Sequence, residues 1–323
     1  NAYKMMLSDN ILSIIIPMYN SQNYISKCLE SVIAIDIPKE IIVVDDGSTD
    51  NSYSIVEKYA EGGLIRLLRQ ENKGVSEARN LGLSVCQGNI IAFVDSDDYV
   101  NIPEFEKFYN EFIITEADIA VGNITILSSN NPKILNSPEN KHEKKFRGQD
   151  YFTESLKNDY FVPLVFNYLF RRKFIQDNKL LFRHKMSEDD LWTTCSMCLA
   201  KNIYVSPHIH YNYCIRKESL TGKNKDTTFK SENLLAVTTD LLTFINHNAL
   251  DINTIIWIYC KILYIYSEAF RIMKLTKEFH DNFNYEEITN ITKQVLSDTD
   301  IKAKRLALTY YMRIQKIFLE GRT

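Results

Sequence analysis

Glycine and proline are scarce in this chain, 10 and 7 among 323 residues, and tryptophan occurs only twice. With 45% hydrophobic and 24% charged residues, that scarcity excludes collagen-like and low-complexity character and leaves an ordinary packed protein. Excess positive charge is also missing. The formal net charge is -3 and the pI about 6.1, which argues against nucleic acid as a partner. No apolar run reaches the roughly 20 residues that cross a bilayer. The most apolar late stretch, 255 to 266, is interrupted by Lys261, and the stripe Ile258, Ile262, Ile265, Ala269, Ile272 predicts a core helix. Cysteines Cys28, Cys86, Cys195, Cys198, Cys214 and Cys260 are dispersed through apolar surroundings instead of forming a stapling pattern. They are expected to be reduced thiols of a cytoplasmic protein. The first residues carry no apolar h-region, which predicts no secretory signal. Neither a P-loop nor a G-x-G-x-x-G follows any strand candidate, which disfavours a P-loop NTPase or a dinucleotide fold.

What is present is alternation. "ILSIII" (11–16), "EIIVVD" (40–45), "LIRLL" (64–68) and "NIIAFVD" (89–95) are near-continuous apolar runs of strand length, and 22–34, 50–61 and 74–86 between them have helical spacing. This predicts an α/β, doubly wound, mainly parallel sheet flanked by helices, with ligands at the carboxyl ends of the strands. The segments at those ends are "PMYN" (17–20), "DDGSTDNS" (45–52), "ENKG" (71–74) and "DSDD" (95–98). Further along, 130–148 reads as a loop, 186–200 as helical in its second half and 203–222 as strand, turn, strand. From about 230 the pattern is helical throughout. The expected division is a catalytic domain over 1–229 and a helical C-terminal region over 230–323.

Each polar cluster has two readings. In "DDGSTDNS", Gly47 suits a turn and Ser48 or Asp50 a helix cap, but two acids, Asp45 and Asp46, at a strand end also suit a base N–H or ribose hydroxyls. Arg79 is either a surface cation paired with Glu77 or a neighbour, or a cation approaching a diphosphate. In "DSDD", one helix cap uses one side chain, so Asp95, Asp97 and Asp98 together call for compensation. Mn2+ or Mg2+, held by one or two carboxylates and substrate phosphates, supplies it. "SEDDLW" (187–192) fits either a helix cap by Ser187 or Glu188 or a second functional acid cluster. Cys195 and Cys198 read as helix cysteines without a second pair for zinc. His208 or His210 could complete a metal shell, though packing is the commoner role. The helix over 301–320, with Lys302, Lys304, Arg305, Arg313 and Lys316, could lie on an anionic membrane, pack in a homo-oligomer, or dock on its own catalytic domain.

Taken in order, "SIIIPMYNSQNYISKCLESV", "EIIVVDDGSTDNS", "ENKGVSEARNLGL", "GNIIAFVDSDDYV", "FNYLFRRKFI", "EDDLW" and "YNYCIRKESLTG" resemble the family 2 glycosyltransferases. These are inverting enzymes of GT-A fold, and the likeness covers residues 11 to about 222. The resemblance implies a UDP-sugar donor, a glycan or lipid- or protein-linked glycan acceptor, and polysaccharide biosynthesis at the inner face of the membrane. By the same resemblance Pro17 and Tyr19 line the uracil and ribose pocket, Asp46 accepts from uracil, and Arg79 with Lys73 serves the diphosphate. Asp95, with Ser96 beside it, faces ribose or metal, Asp97 is the main metal ligand and Asp98 an adjacent support or a helix cap. Asp189 occupies the place of the catalytic base, with Glu188 beside it and Asp190 as the alternative. Arg216 and Ser219 would close over the diphosphate or acceptor, and 166–172 would form an acceptor wall. Two competing readings are a sugar-phosphate nucleotidyltransferase, which needs a basic Gly-rich loop that "PMYNSQNY" lacks, and a catalytically silent glycan-binding scaffold.

Overall fold

A computed structural model describes residues 10–128, 132–135, 145–215, 227–273 and 284–320. Strands β1 (Leu12–Met18), β2 (Lys39–Asp45), β3 (Arg66–Arg69) and β4 (Ile90–Phe93) alternate with helices α1 (Ile25–Ile33), α2 (Ser52–Glu61) and α3 (Val75–Val85). The periodicity predicts all seven, within a few residues at their ends. Every residue of β1 is buried, because helices cover both faces of a parallel sheet. Helix α3 lies so close to β1 that a Cβ on Gly82 would stand 2.4 Å from Ile15 Cγ2.

Strand β1 pairs in parallel with β2 on one side and β4 on the other, so the sheet order β3-β2-β1-β4 reverses direction at β1. Such a reversal opens a crevice at the carboxyl ends of the two diverging strands. Pro17 marks the place. Pairing of β1 with β4 ends at Ile15 and Phe93, and Ile15 and Pro17 turn their backbone polar groups to the same side. The N–H that proline lacks would therefore point where β4 has already left the ladder, so the residue is tolerated in a central strand.

Beyond β4 the sheet is mixed. Strand β5 (Tyr99–Val100) leads into α4 (Ile102–Ile113) and β6 (Ile119–Leu127), while β9 (Tyr168–Arg171) inserts antiparallel between β4 and β6. Helices α5 (Gly148–Lys157), α6 (Arg172–Asp177) and α7 (Glu188–Leu199) flank it. The 203–222 stretch differs from the expected strand, turn, strand. Its described part is one strand, β10 (Ile203–Cys214), whose register on β6 shifts between Val205 and Tyr211, a bulge around Pro207. The loop expected over 130–148 contains two short strands, β7 (Lys133–Leu135) and β8 (Lys145–Phe146), on β6 and β10.

The C-terminal helices are α8 (Thr227–His247), α9 (Ile252–Met273), α10 (Tyr285–Ser297) and α11 (Ile301–Glu320). Ile258, Ile262, Ile265 and Ala269 of α9 are buried, as their spacing predicts. One apolar cluster joins Ile15, Phe93 and Trp192 of the sheet region to Trp257, Ile262 and Ile314 of these helices. A second fills the other face with Leu12, Phe105 and Phe108. Helix α11 buries Ala303, Ala307 and Ile314, packing mainly on α9 and α10, and exposes Leu308 and Met312. None of the six cysteines forms a disulfide. Among the described residues no helix is long and apolar enough to cross a membrane.

Candidate active site

Four loops meet at the carboxyl end of the parallel strands. At the end of β2, Asp45 is buried, accepts from the Ser48 N–H at 3.1 Å and pairs with Arg69 Nε at 3.2 Å. Asp46 accepts from Gln70 Nε2 at 2.7 Å and from the backbone N–H groups of Lys73 and Gly74, both at 2.8 Å. One carboxylate thus holds the "ENKG" turn in place. Gly47 has φ +74°, and a Cβ there would come 2.9 Å from the Asn72 nitrogen, so the two loops touch through backbone. The N-cap of α2 is Asn51, which makes no side-chain cap; Asp50 before it accepts from the Ser52 N–H at 2.9 Å, and Ser48 accepts from the Asn20 N–H at 3.0 Å.

The loop after β1 is knitted to its neighbours. Asn20 Oδ1 accepts from the Thr49 N–H at 2.8 Å, and the Ser21 and Ser96 hydroxyls are 2.7 Å apart. Pro17 is buried and Tyr19 is exposed at the rim. The Lys73 side chain is exposed as well, while its backbone serves Asp46.

Arg79 organises the centre. Only 2% exposed on α3, it donates through Nη1 to Glu188 at 2.9 Å and Asp189 at 2.6 Å, and through Nη2 to Asp95 at 3.0 Å. Its guanidinium also stands 5.2 Å from the Phe182 ring centroid. A surface pair with Glu77 is therefore ruled out. Burial pulls its pKa down, but Asp189, Asp95 and Glu188 outweigh that and hold it above the ordinary arginine value.

The acids of "SEDDLW" occupy the first turn of α7, where the helix dipole favours them. Ser187 precedes that helix at φ +59° and makes no side-chain cap, and Glu188, the other expected cap, is the first residue of the helix itself. Asp189 Oδ2 accepts from the Val165 N–H at 3.2 Å, and burial pushes its carboxyl up to about 8 against the pull of Arg79. Asp190 turns away and meets Lys261 of α9 at 2.5 Å.

In "DSDD" the three acids differ. Asp95 joins Arg79, Asp97 is half-buried beside it, and Asp98 is buried. Asp98 is not the cap of α4, which follows Asn101. It accepts from the Cys214 N–H at 2.7 Å and the Tyr211 hydroxyl at 2.9 Å, anchoring β10, and Tyr211 in turn accepts from the Asp95 N–H at 3.0 Å. Burial, then Asp95 and Asp97, push Asp98 up to about 8.

No ready-made set of three His, Cys, Asp or Glu for a metal exists among the described residues. Asp97 and the partly exposed Asp95 are hard oxygen donors, and two carboxylates with substrate phosphates suit Mn2+ or Mg2+. The histidines do not join them. His210 is buried, donates from Nε2 to the Phe166 carbonyl at 3.2 Å and packs on Phe108 with centroids 4.5 Å apart. Burial lowers it to about 4. His208 is held between Glu104 at 2.7 Å and Glu111 at 3.1 Å.

The expected acceptor wall divides. Phe166 stacks on Tyr211 at 4.3 Å, but Arg171 pairs in register with Ile90, at the far end of β4, and binds the Ala117 and Thr115 carbonyls. Arg216 and Ser219 lie outside the described residues. Gln70, Val165 and Lys261 were not anticipated at the site, and Tyr211 entered only as the first residue of "YNYCIRKESLTG". Lys261 left a trace in the sequence, as a cation within an apolar helical stripe, where burial demands an acid partner.

Residues 13–178 match the family described as Glycosyl transferase family 2. The chain belongs to that family. It is 30% identical to the uncharacterized glycosyltransferase YibD of Escherichia coli K12 over 98% of this chain and 87% of that protein. It is also 30% identical, over 64% of its length, to the Staphylococcus aureus poly(ribitol-phosphate) beta-N-acetylglucosaminyltransferase TarS. The structure of TarS 1–349 in complex with UDP-GlcNAc superposes with a TM-score of 0.65 at 19% identity, covering 97% of this chain and 91% of that one, which shows the GT-A fold. Identity to the Streptococcus pneumoniae glycosyltransferase GlyA is 45%, over 36% of the chain. The chain spans 87% of YibD but 36% of TarS and 17% of GlyA. Membership in this enzyme family sets aside the nucleotidyltransferase and silent-scaffold readings.

Proposed function

We propose that this glycosyltransferase moves a sugar from a UDP-sugar to a hydroxyl of a glycan or glycoconjugate, with inversion, and that Asp189 is the general base. The observation that carries the reading is the meeting of Asp95 and Asp189 on one buried cation, Arg79, at the crevice where β1 and β4 diverge. The named activity of TarS and its complex with UDP-GlcNAc support a UDP-activated N-acetylhexosamine and a polyhydroxylated acceptor.

In this reading the nucleoside occupies the crevice between the loops after β1 and β2, with Pro17, Tyr19 and Asp46 against it. Asp46 already accepts three hydrogen bonds and has one lone-pair position left for uracil. Lys73 extends over the diphosphate side. Asp97, with Asp95, would hold a divalent ion, which when bound neutralises charge on the departing diphosphate. Arg79 orients Asp189 and Asp95 toward the same space. Asp189, poised near neutrality, removes the proton of the acceptor hydroxyl as it attacks, typically worth about 100- to 10,000-fold. The attacking and leaving oxygens lie on opposite faces of the anomeric carbon, so one displacement inverts it and no glycosyl-enzyme forms.

A UDP-release screen over UDP-sugars with Mn2+ or with EDTA tests the whole reading. Turnover with at least one donor, lost in EDTA, is expected; no release from any donor overturns it. Asp189→Asn should abolish transfer while UDP-sugar binding persists, and full activity in that variant removes Asp189 as base.

A further inference from the structure

The doubled acid Asp189-Asp190 is sorted by a residue more than 70 positions away in the chain. Lys261 sits on α9, in the helical region, with a side chain only 9% exposed, and its Nζ lies 2.5 Å from Asp190 Oδ1. The same ammonium stands 4.9 Å from the centroid of Phe161, an aromatic face that helps replace lost water. A lysine buried to this degree needs a fixed partner, and an acid on the first turn of α7 needs a cation once Arg79 is already shared by three carboxylates.

We propose that Lys261 is a positioning residue: by binding Asp190 it turns that carboxylate away, so that of the doubled acid only Asp189 is delivered to Arg79 and the acceptor. The proposal rests on Asp189 being the base. It makes the C-terminal helices part of the catalytic arrangement, since α9 supplies the charge that sets the rotation of the first turn of α7. The groups facing this turn are few. Arg79 and Asp95 approach Asp189 from α3 and the end of β4, with the Val165 N–H from the segment before β9. Tyr168 of β9 stands near both acids, Tyr264 of α9 near Asp190 and Tyr213 of β10 near Asp189. Among these, Lys261 is the cation that holds Asp190. Without it, a second uncompensated carboxylate would stand beside the base and disfavour the base's ionised form.

The test is the pH profile of kcat/KM for Lys261→Met, Asp190→Asn and the double variant, with Asp189→Asn in the same series. Lys261→Met should move the rising limb up by about one pH unit, a tenfold loss below it that closes at high pH. The double variant, which removes the stranded charge, should return the limb to its wild-type position. UDP binding, measured by calorimetry, should be unchanged in all three, separating this effect from misfolding. A wild-type limb in Lys261→Met, or a double variant no better than the single, overturns the inference. Turnover in Asp189→Asn would instead sink the base assignment, so the two failures are told apart.

Discussion

Arg79 Nη1 and Asp189 Oδ1 lie 2.6 Å apart although 110 positions separate them in the chain. That ion pair connects α3, a helix of the parallel-sheet half, to α7, the helix that carries the acid cluster. Because Arg79 also holds Glu188 and Asp95, its removal strands three largely buried carboxylates. Arg79→Met should cost about 3–5 kcal/mol, a large part of the stability of an ordinary domain. Arg79→Lys keeps the charge but not the planar fork that reaches three partners, so its loss should be smaller. Urea unfolding midpoints measure both; a wild-type midpoint in Arg79→Met contradicts the role.

Activity and stability should move oppositely with pH. As the proposed base, Asp189 would act only when ionised, so kcat/KM should climb with pH through about 8. A flat profile from pH 6 to 9 would contradict it.

For stability, the folded forms of Asp98 and Asp189 keep their protons up to about 8, whereas an exposed carboxyl ionises near 3.8. Between those values the folded state binds more protons than the unfolded one, so stability is greatest at the acid end and falls as pH rises. Each group contributes a slope of at most about 1.4 kcal/mol per pH unit. Chemical unfolding from pH 5 to 8 without divalent metal should show the decline, and Asp98→Asn should flatten it.

Asp46 holds the "ENKG" turn at the proposed donor site. Asp46→Ala leaves the Lys73 and Gly74 N–H groups without their acceptor and frees Gln70. Affinity for UDP should fall about 10- to 100-fold, at about 1.5–3 kcal/mol for hydrogen bonds to a charged group. Calorimetric titration with UDP reads this directly, and an unchanged Kd would show that the turn forms without Asp46.

Gly82 tests the packing of α3 on β1. Gly82→Ala improves helix propensity by up to about 1 kcal/mol, yet the new methyl would meet Ile15 Cγ2 at 2.4 Å in a fully buried layer. Net destabilisation of about 1–3 kcal/mol is expected. A variant more stable than wild type would show that Ile15 can move aside.

The first four strands, the three helices between them and the polar turns that follow each strand were legible in the sequence. Apolar runs and 3.6-residue spacing are local properties, and parallel pairing places the ends of such strands on one rim. Composition and motif order were sufficient for the family. The second half of the sheet was not legible in the same way. Strand β9 enters antiparallel, and β10 runs through Pro207 by a bulge, because tertiary pairing with β4 and β6 outweighs what four or twelve residues prefer alone.

Only the tertiary structure decided what each acid does. Asp95, Asp97 and Asp98 are nearly contiguous, as are Glu188, Asp189 and Asp190, and no local rule separates them. Asp98 became an anchor because Tyr211 and the Cys214 N–H lie against it, and Asp190 turned outward because Lys261 waits on α9. His210, a metal candidate by residue type, was taken into the core by Phe108. Charge interactions act through space between residues far apart in sequence, so partner choice appears only once the sheet order and the C-terminal helices bring those residues within a few ångströms.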